Sequence, residues 1–190
     1  STPNLEALMR RALEPIGGRF AYYHAAIFLL DDGGENAVLR AATGEVGAAL
    51  IARGHTLGVG STSIIGWVTS HNEPRVASDV SRDPIHFKSE LLPGTRSEAA
   101  VPLQVGGRVL GALDVQSLEA NAFNPEDLAM LQTLADQLSA AIQNARLAQT
   151  SALAADRARL ITEATTQMAG VLDMNRVLET AASVLHRALG

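Results

Sequence analysis

Apolar residues recur at steps of three and four through Leu5, Leu8, Met9, Ala12 and Leu13. That spacing puts one stripe on a short helix, which is expected to end near Pro15 and Gly17-Gly18. Residues 25–30 form a compact apolar run, Asp31-Asp32-Gly33-Gly34 supplies turn chemistry, and residues 37–42 resume the run. Such a pair predicts an antiparallel hairpin. One or two helical turns are expected over 47–52 and a short strand over 56–59. Ser61-Thr62-Ser63 offers N-cap side chains before Ile64, Ile65, Trp67 and Val68, predicting a helix to about Ser70 that Asn72-Glu73-Pro74 stops. A short strand at 75–78 leads into a polar loop over 79–96. Loops of that length without elements of their own are usually functional or mobile.

The next hairpin is plainer, because Val101, Leu103 and Val105 alternate up to Gly106-Gly107, and Val109, Gly111, Leu113 and Val115 alternate after it. The same alternation sends the Asp114 carboxylate to the sheet face opposite Leu113 and Val115. Asn124 as N-cap, Pro125 at the first helical position and Glu126-Asp127 in the first turn then start a long helix. Leu128, Leu131, Ala135, Leu138, Ile142 and Ala145 keep the three-four step, the spacing of a coiled-coil or bundle seam, and are expected to be a dimer seam. The stripe weakens at Gln149 and Asp156 and resumes in shifted phase at Leu160, Ala164, Met168 and Val171. Continuous helix from Pro125 to Gly170 would be about 69 Å long at 1.5 Å per residue, more than one small domain needs. A further helix is expected over 174–189.

The ending Leu185-His-Arg-Ala-Leu-Gly190 is similar to Met9-Arg-Arg-Ala-Leu13. It is either the opening of a second copy of the same domain or the convergent composition of amphipathic helices. The domains expected are therefore 1–147, a helical linker over 148–172 that continues the last domain helix, and a helix over 173–190 that opens a following, truncated domain. A start at Ser1 rather than Met and an end inside a helical pattern fit an excerpt from a longer protein.

Composition narrows the function classes. Apolar residues make up 47% of the 190, aromatics only 4%, and the net charge is −5 with a single lysine, Lys88. Acidic balance and scarce lysine give no general attraction for nucleic acid or anionic lipid. Neither a span of about 18 apolar residues nor a secretory leader is visible, so a soluble, cytoplasmic segment is expected. With no cysteine, the chain has no disulfide, thiolate nucleophile or cysteine-held zinc. Hydrolase elbow, zincin and Walker motifs are also missing. Gly58-x-Gly60-x-x-Ser63 has Ser at the third position and its flanking strands form no βαβ unit, unlike a dinucleotide fingerprint, and capping by Ser61 or Ser63 accounts for it more simply than an anion site. Asp79, Asp83 and His86 are loosely spaced donors that would need a fourth metal ligand, and turns and caps explain them better.

Several stretches in order resemble a GAF domain over about residues 3–147. They are Ala-Ala-Ile-Phe-Leu-Leu-Asp-Asp (25–32), Gly-Val-Gly-Ser-Thr-Ser-Ile-Ile-Gly-Trp-Val-Thr-Ser (58–70), Glu-Pro-Arg-Val-Ala-Ser-Asp-Val (73–80) and Asp83-Pro-Ile-His-Phe87. Arg96-Ser97, Val101-Pro102-Leu103, Gly-Ala-Leu-Asp-Val-Gln-Ser (111–117) and Ala-Ile-Gln-Asn-Ala (141–145) complete the set. The resemblance implies an α+β fold with a central antiparallel sheet of five to six strands, PAS/GAF-like, helices on both faces and a long C-terminal signalling helix. It implies a sensory module of a multi-domain bacterial signal-transduction protein, such as a sensor histidine kinase, and not an enzyme. A small molecule, its identity open, would sit in a pocket drawn from Ile65, Trp67, Asp83, Ile85, Phe87, Ser97 and Asp114. A buried hydrogen-bonded role for Asp114 and core packing for Trp67 stand as alternatives. The expected partners are a second copy through the helices, a small-molecule ligand and an output domain, and the other reading is a ligand-free dimerisation module. Asn121, Phe123 and Asp127 match elements of cyclic-nucleotide-binding members, with Ala122 where those carry Lys. In haem-binding relatives an axial histidine would be required, and His86 is the residue to test for it. No catalytic residue or metal is expected, and the cofactor is left open.

Overall fold

A computed structural model describes residues 3–19 and 22–189. Ser1 and Gly190, the outer limits of the expected domains, lie outside the described residues. The first of two units, Ser1–Arg146, is built on a six-stranded sheet in the order β3-β2-β1-β6-β5-β4. The strands are β1 (His24–Leu30), β2 (Asn36–Ala42), β3 (Thr56–Gly58), β4 (Arg75–Ala77), β5 (Ser97–Val105) and β6 (Arg108–Ser117). Every pairing is antiparallel.

The central pair forms because Gly106 and Gly107 sit at φ +59° and +81°, the backbone of a two-residue turn that matches strand twist. Gly111 is needed for a different reason. A Cβ there would lie 1.9 Å from the Phe28 carbonyl oxygen on β1, so only glycine lets β1 and β6 approach. Bulges at Ile27/Phe28 and at Leu103/Gln104 adjust the registers.

Two separate cores form, one on each face. The first holds Met9, Leu13 and Ile16 of α1 (Pro3–Arg19), Ile27 and Leu29 of β1, Leu113 and Val115 of β6, and Leu131, Ala135, Leu138 and Ile142 of α4 (Pro125–Leu189). The second gathers Ala26, Phe28, Leu39, Ala100 and Ala112 under α2 (Gly44–Ala52), α3 (Ile64–His71) and the 78–96 loop. Ser63 caps α3 by accepting the Gly66 N–H at 2.8 Å. Asn124 caps α4 by accepting from Glu126 and Asp127, while Asp127 accepts the Asn124 N–H in return.

Three expectations change. α1 does not stop at Pro15 but runs through it to Arg19, because Ile16, 1% exposed, continues the buried stripe of Met9 and Leu13. The helix expected over 174–189 is not separate, since α4 runs unbroken from Pro125 to Leu189. No proline interrupts that stretch, and a helix without one keeps its hydrogen-bond ladder. Most importantly, Leu131, Ala135 and Ile142 are at most 1% exposed and Leu138 is 8% within a single chain. The stripe expected as a dimer seam is instead the face that α4 lays on its own sheet, with Leu128 and Ala145 half-buried at its ends. A three-four spacing reports one apolar neighbour, whichever molecule supplies it.

The second unit, which begins at Leu147, consists of the remainder of α4 as far as Leu189. Leu153, Leu160, Ile161, Met168, Met174, Val177, Leu178, Val184 and Leu185 are all more than half exposed there. No helix among the described residues is long and apolar enough to cross a membrane.

Candidate functional site

The second face buries something the first does not. His24 on β1 pairs with Gln116 on β6, Gln116 pairs with Glu98 on β5, and Asp114, two residues from Gln116, stands between Ala26 and Ala100. Side chains two apart on a strand share a face, so these four polar groups form a patch, and the alanines beside Asp114 leave room above it. His24, Glu98 and Asp114 are 3%, 5% and 2% exposed. They line a cavity of about 30 Å³ with Phe28, Leu39, Leu50, His55, Ile65 and Phe87 among its walls. A space of that size holds one or two waters.

The polar groups are ordered in a chain. Thr95 Oγ1 donates to Gln116 Oε1 at 2.7 Å, and Gln116 Nε2 donates to Asp114 Oδ2 at 2.9 Å. Asp114 Oδ1, buried, receives no N–H or O–H, and what remains for it is a proton shared with Glu98. Glu98 Oε2 lies 2.5 Å from Nδ1 of His86, which reaches down from the 78–96 loop. Burial pushes Glu98 up to about 7. Asp114 is pushed well above the usual carboxylate range by burial and then by the Glu98 charge, against the Gln116 hydrogen bond. Two buried carboxyls side by side cannot both ionise freely. Burial also lowers His86 and His55, and takes His24 down to about 4. The two shifts, Glu98 up and His86 down, favour a neutral His86–Glu98 hydrogen bond over a full ion pair.

The 78–96 loop covers the patch without a helix or strand of its own. Arg75 ties it down by pairing with Asp83 at 3.1 Å, and Asp83 also accepts the Ile85 N–H. Leu92, 7% exposed, plugs it into the core. Phe87 remains 47% exposed, its ring 6.0 Å from that of His55.

Of the residues expected in a pocket, Ile65, Phe87 and Asp114 meet at this cavity. Trp67 does not, since it stacks on His71 at 4.2 Å and lies under the Arg75 guanidinium. Asp83 holds Arg75, and Ile85 packs on the core beside the cavity. Ser97 is on the other side of β5 from Glu98, and its hydroxyl donates to the Glu119 carbonyl. Asn121, Phe123 and Asp127 also lie away from the cavity. The Asn121 N–H donates to the Ser78 carbonyl, Phe123 packs against Tyr22 and Asp127 belongs to the α4 cap. His24, His55, Glu98 and Gln116 are lining residues the sequence pattern did not single out. Among the described residues no three His, Asp or Glu side chains are grouped to hold a metal ion. A wider groove of about 690 Å³ between α1, β2 and α2 is lined by Glu6, Arg10 and Arg40, but no buried polar side chain points into it.

An antiparallel sheet with helices on both sides and a loop-covered polar cavity defines a PAS/GAF-type α+β module. Residues 2–143 match the GAF domain family model, and the chain belongs to the GAF domain family. It is similar to the GAF domain of a phosphoenolpyruvate-protein phosphotransferase from Coxiella burnetii, with 27% identity and TM-score 0.70, over 78% of this chain and 88% of that one. It is also similar to the GAF domain region of a putative membrane protein from Geobacter sulfurreducens, with 26% identity and TM-score 0.61, over 74% and 93%. Free methionine-R-sulfoxide reductase from Neisseria meningitidis, solved with its substrate, shares the fold at 23% identity and TM-score 0.66, over 78% and 83%. A search of curated proteins finds no significant match.

Proposed function

We propose that this chain is the sensory module of a multi-domain bacterial signal-transduction protein, a sensor histidine kinase or a relative, working in the cytoplasm. It binds a small molecule between the sheet and the 78–96 loop and passes its state along α4 to an output domain. One observation carries the reading: a buried, incompletely satisfied polar patch under a loop without a helix or strand of its own. Stability alone disfavours such a patch, because a buried carboxylate costs several kcal/mol that an apolar residue would not. The substrate-bound reductase of the same fold supports a small-molecule site. Absence of cysteine removes thiol redox chemistry from this chain and favours regulation over catalysis. Transmission along α4 requires that the ligand prefer one helix arrangement over another.

The test is a thermal-shift panel of cyclic nucleotides and small metabolites on the full chain. A bound ligand at about one hundred times its Kd adds about 2.7 kcal/mol of stability. The expected result is stabilisation by one chemical class, reduced in Phe87→Ala. A flat response across the panel would contradict the proposal.

A second reading, a ligand-free homodimer whose helices space its neighbours, is favoured by a face that shares only Leu138 with the expected seam. Leu8, Ala12, Pro15, Leu134, Leu138 and Ala141 line an apolar groove of about 300 Å³ between α1 and α4. Sedimentation at high concentration should give a dimer that Leu134→Glu dissociates. A strict monomer at all concentrations contradicts it.

A further inference from the structure

The ligand's chemical class follows from what the acid pair lacks. Neither lysine nor arginine lines the cavity, and Lys88 on the loop makes itself felt at His86. Arg75, which pairs with Ala100 on β5, gives its terminal nitrogen to Asp83 and its guanidinium face to Trp67, although its buried Nε has no acceptor. The pair is therefore held by protons and by one contact from the loop, His86, while Asp114 Oδ1 receives nothing beyond the proton it shares with Glu98. A neutral hydroxyl or carbonyl would leave that shortage in place, and an anion would deepen it. Several N–H donors carrying positive charge would remove it, because charge-assisted hydrogen bonds to carboxylates are about twice as strong as neutral ones. The remaining walls, Phe28, Leu39, Leu50, Ile65 and Phe87, suit an apolar or aromatic body attached to that cation.

The space of about 30 Å³ is too small for such a molecule, so something must leave. His86 and Phe87 are adjacent on the loop, and the Phe87 ring is already half in solvent. Resting on the small-molecule reading of this same site, we propose that the ligand enters through a protonated nitrogen, a primary ammonium or an amidinium. Its N–H groups replace His86 on Glu98, reach Asp114 Oδ1 and lift the 78–96 loop. His86 is then an internal stand-in for the ligand. The ligand and His86 compete for one carboxylate, and that competition couples occupancy to loop position.

Protons compete with the same cation. The titratable and charged groups around the pair are His24 on β1, His55 after α2, and Asp83, His86 and Lys88 on the loop. With Glu98 titrating near 7, the pair becomes receptive as pH rises.

Calorimetry and thermal shift on the full chain with methylammonium and benzylammonium, beside benzyl alcohol and benzoate, test the proposal at pH 6 and pH 8. Benzylammonium should bind and stabilise at pH 8 and bind about tenfold more weakly at pH 6, as one blocking proton per site requires. Asp114→Asn and Glu98→Gln should each weaken it by tenfold or more, estimated from the loss of one charge-assisted contact. His86→Ala should tighten it. Equal binding of the alcohol or benzoate, no binding of either amine, or weaker binding in His86→Ala would each overturn the proposal. If a neutral or anionic metabolite from the wider panel stabilises the chain while the amines do not, the small-molecule reading survives and the cation proposal falls.

Discussion

The two faces of one sheet use the same strands and opposite economies. Toward α1 and α4, β1 and β6 offer Ile27, Leu29, Leu113 and Val115 to a face whose core is aliphatic and aromatic, with the uncharged Ser97 and Ser139 buried beside it. Toward the 78–96 loop, the intervening residues of the same strands offer His24, Asp114 and Gln116. Alternation along a strand lets one set be chosen for packing and the other for chemistry. The helix face therefore carries stability, and the loop face gives some up to hold charge out of water.

Substitutions on the two faces should separate cleanly, and the largest effects belong to the helix face. Leu131→Ala and Ile142→Ala should each lose about 2–5 kcal/mol in urea denaturation, the cost of a cavity in a closed core. Losses below about 1 kcal/mol would mean that α4 is not seated as described.

The loop face should announce itself through pH. Glu98 rises from 4.5 to about 7 on folding, so its contribution is fully present below pH 4.5 and is lost as pH rises through about 7. Asp114, also raised, works in the same direction. His24, lowered from 6.5 to about 4, runs the other way: its contribution is present above pH 6.5 and lost as pH falls through about 4. In the wild type these slopes oppose one another. Glu98→Gln should unmask the histidine, and its stability relative to wild type should climb between pH 4.5 and 7 by on the order of 3 kcal/mol. A difference that stays constant with pH would remove Glu98 from the account.

Smaller effects sharpen the contrast. Asn124→Ala, which removes the α4 cap, should cost about 1 kcal/mol with no change in ligand response. Asp83→Ala should cost less than about 1 kcal/mol yet speed proteolytic cleavage within 78–96, because it frees Arg75 and the loop together.

Much of the fold was legible because its signals are local. The Gly106-Gly107 turn, the Ser63 cap and the Asn124-Pro125 start each sit where a few neighbouring residues determine the geometry. The site was less legible, since Asp114 stood out as a charge in an apolar strand whereas Glu98 and His24 stand at strand ends and resemble turn residues. Counting pairs back from the glycine turn brings Glu98 opposite Gln116 only when the bulge at Leu103/Gln104 is known, and a one-residue slip reverses every face. The stripe from Leu128 to Ala145 misled for another reason. Its period was right, but period says nothing about whether the partner is a second chain or the helix's own sheet.

The comparison between faces rests most directly on one pair of variants measured side by side at pH 8. Asp114→Asn keeps the shape of the side chain and its contact with Gln116 while removing a buried ionisable carboxyl, and Leu131→Ala empties a packed site. Chemical denaturation should show Asp114→Asn at least as stable as the wild type and Leu131→Ala less stable by about 2–5 kcal/mol. Comparable destabilisation by both would show that the loop face is ordinary core, and would contradict the account.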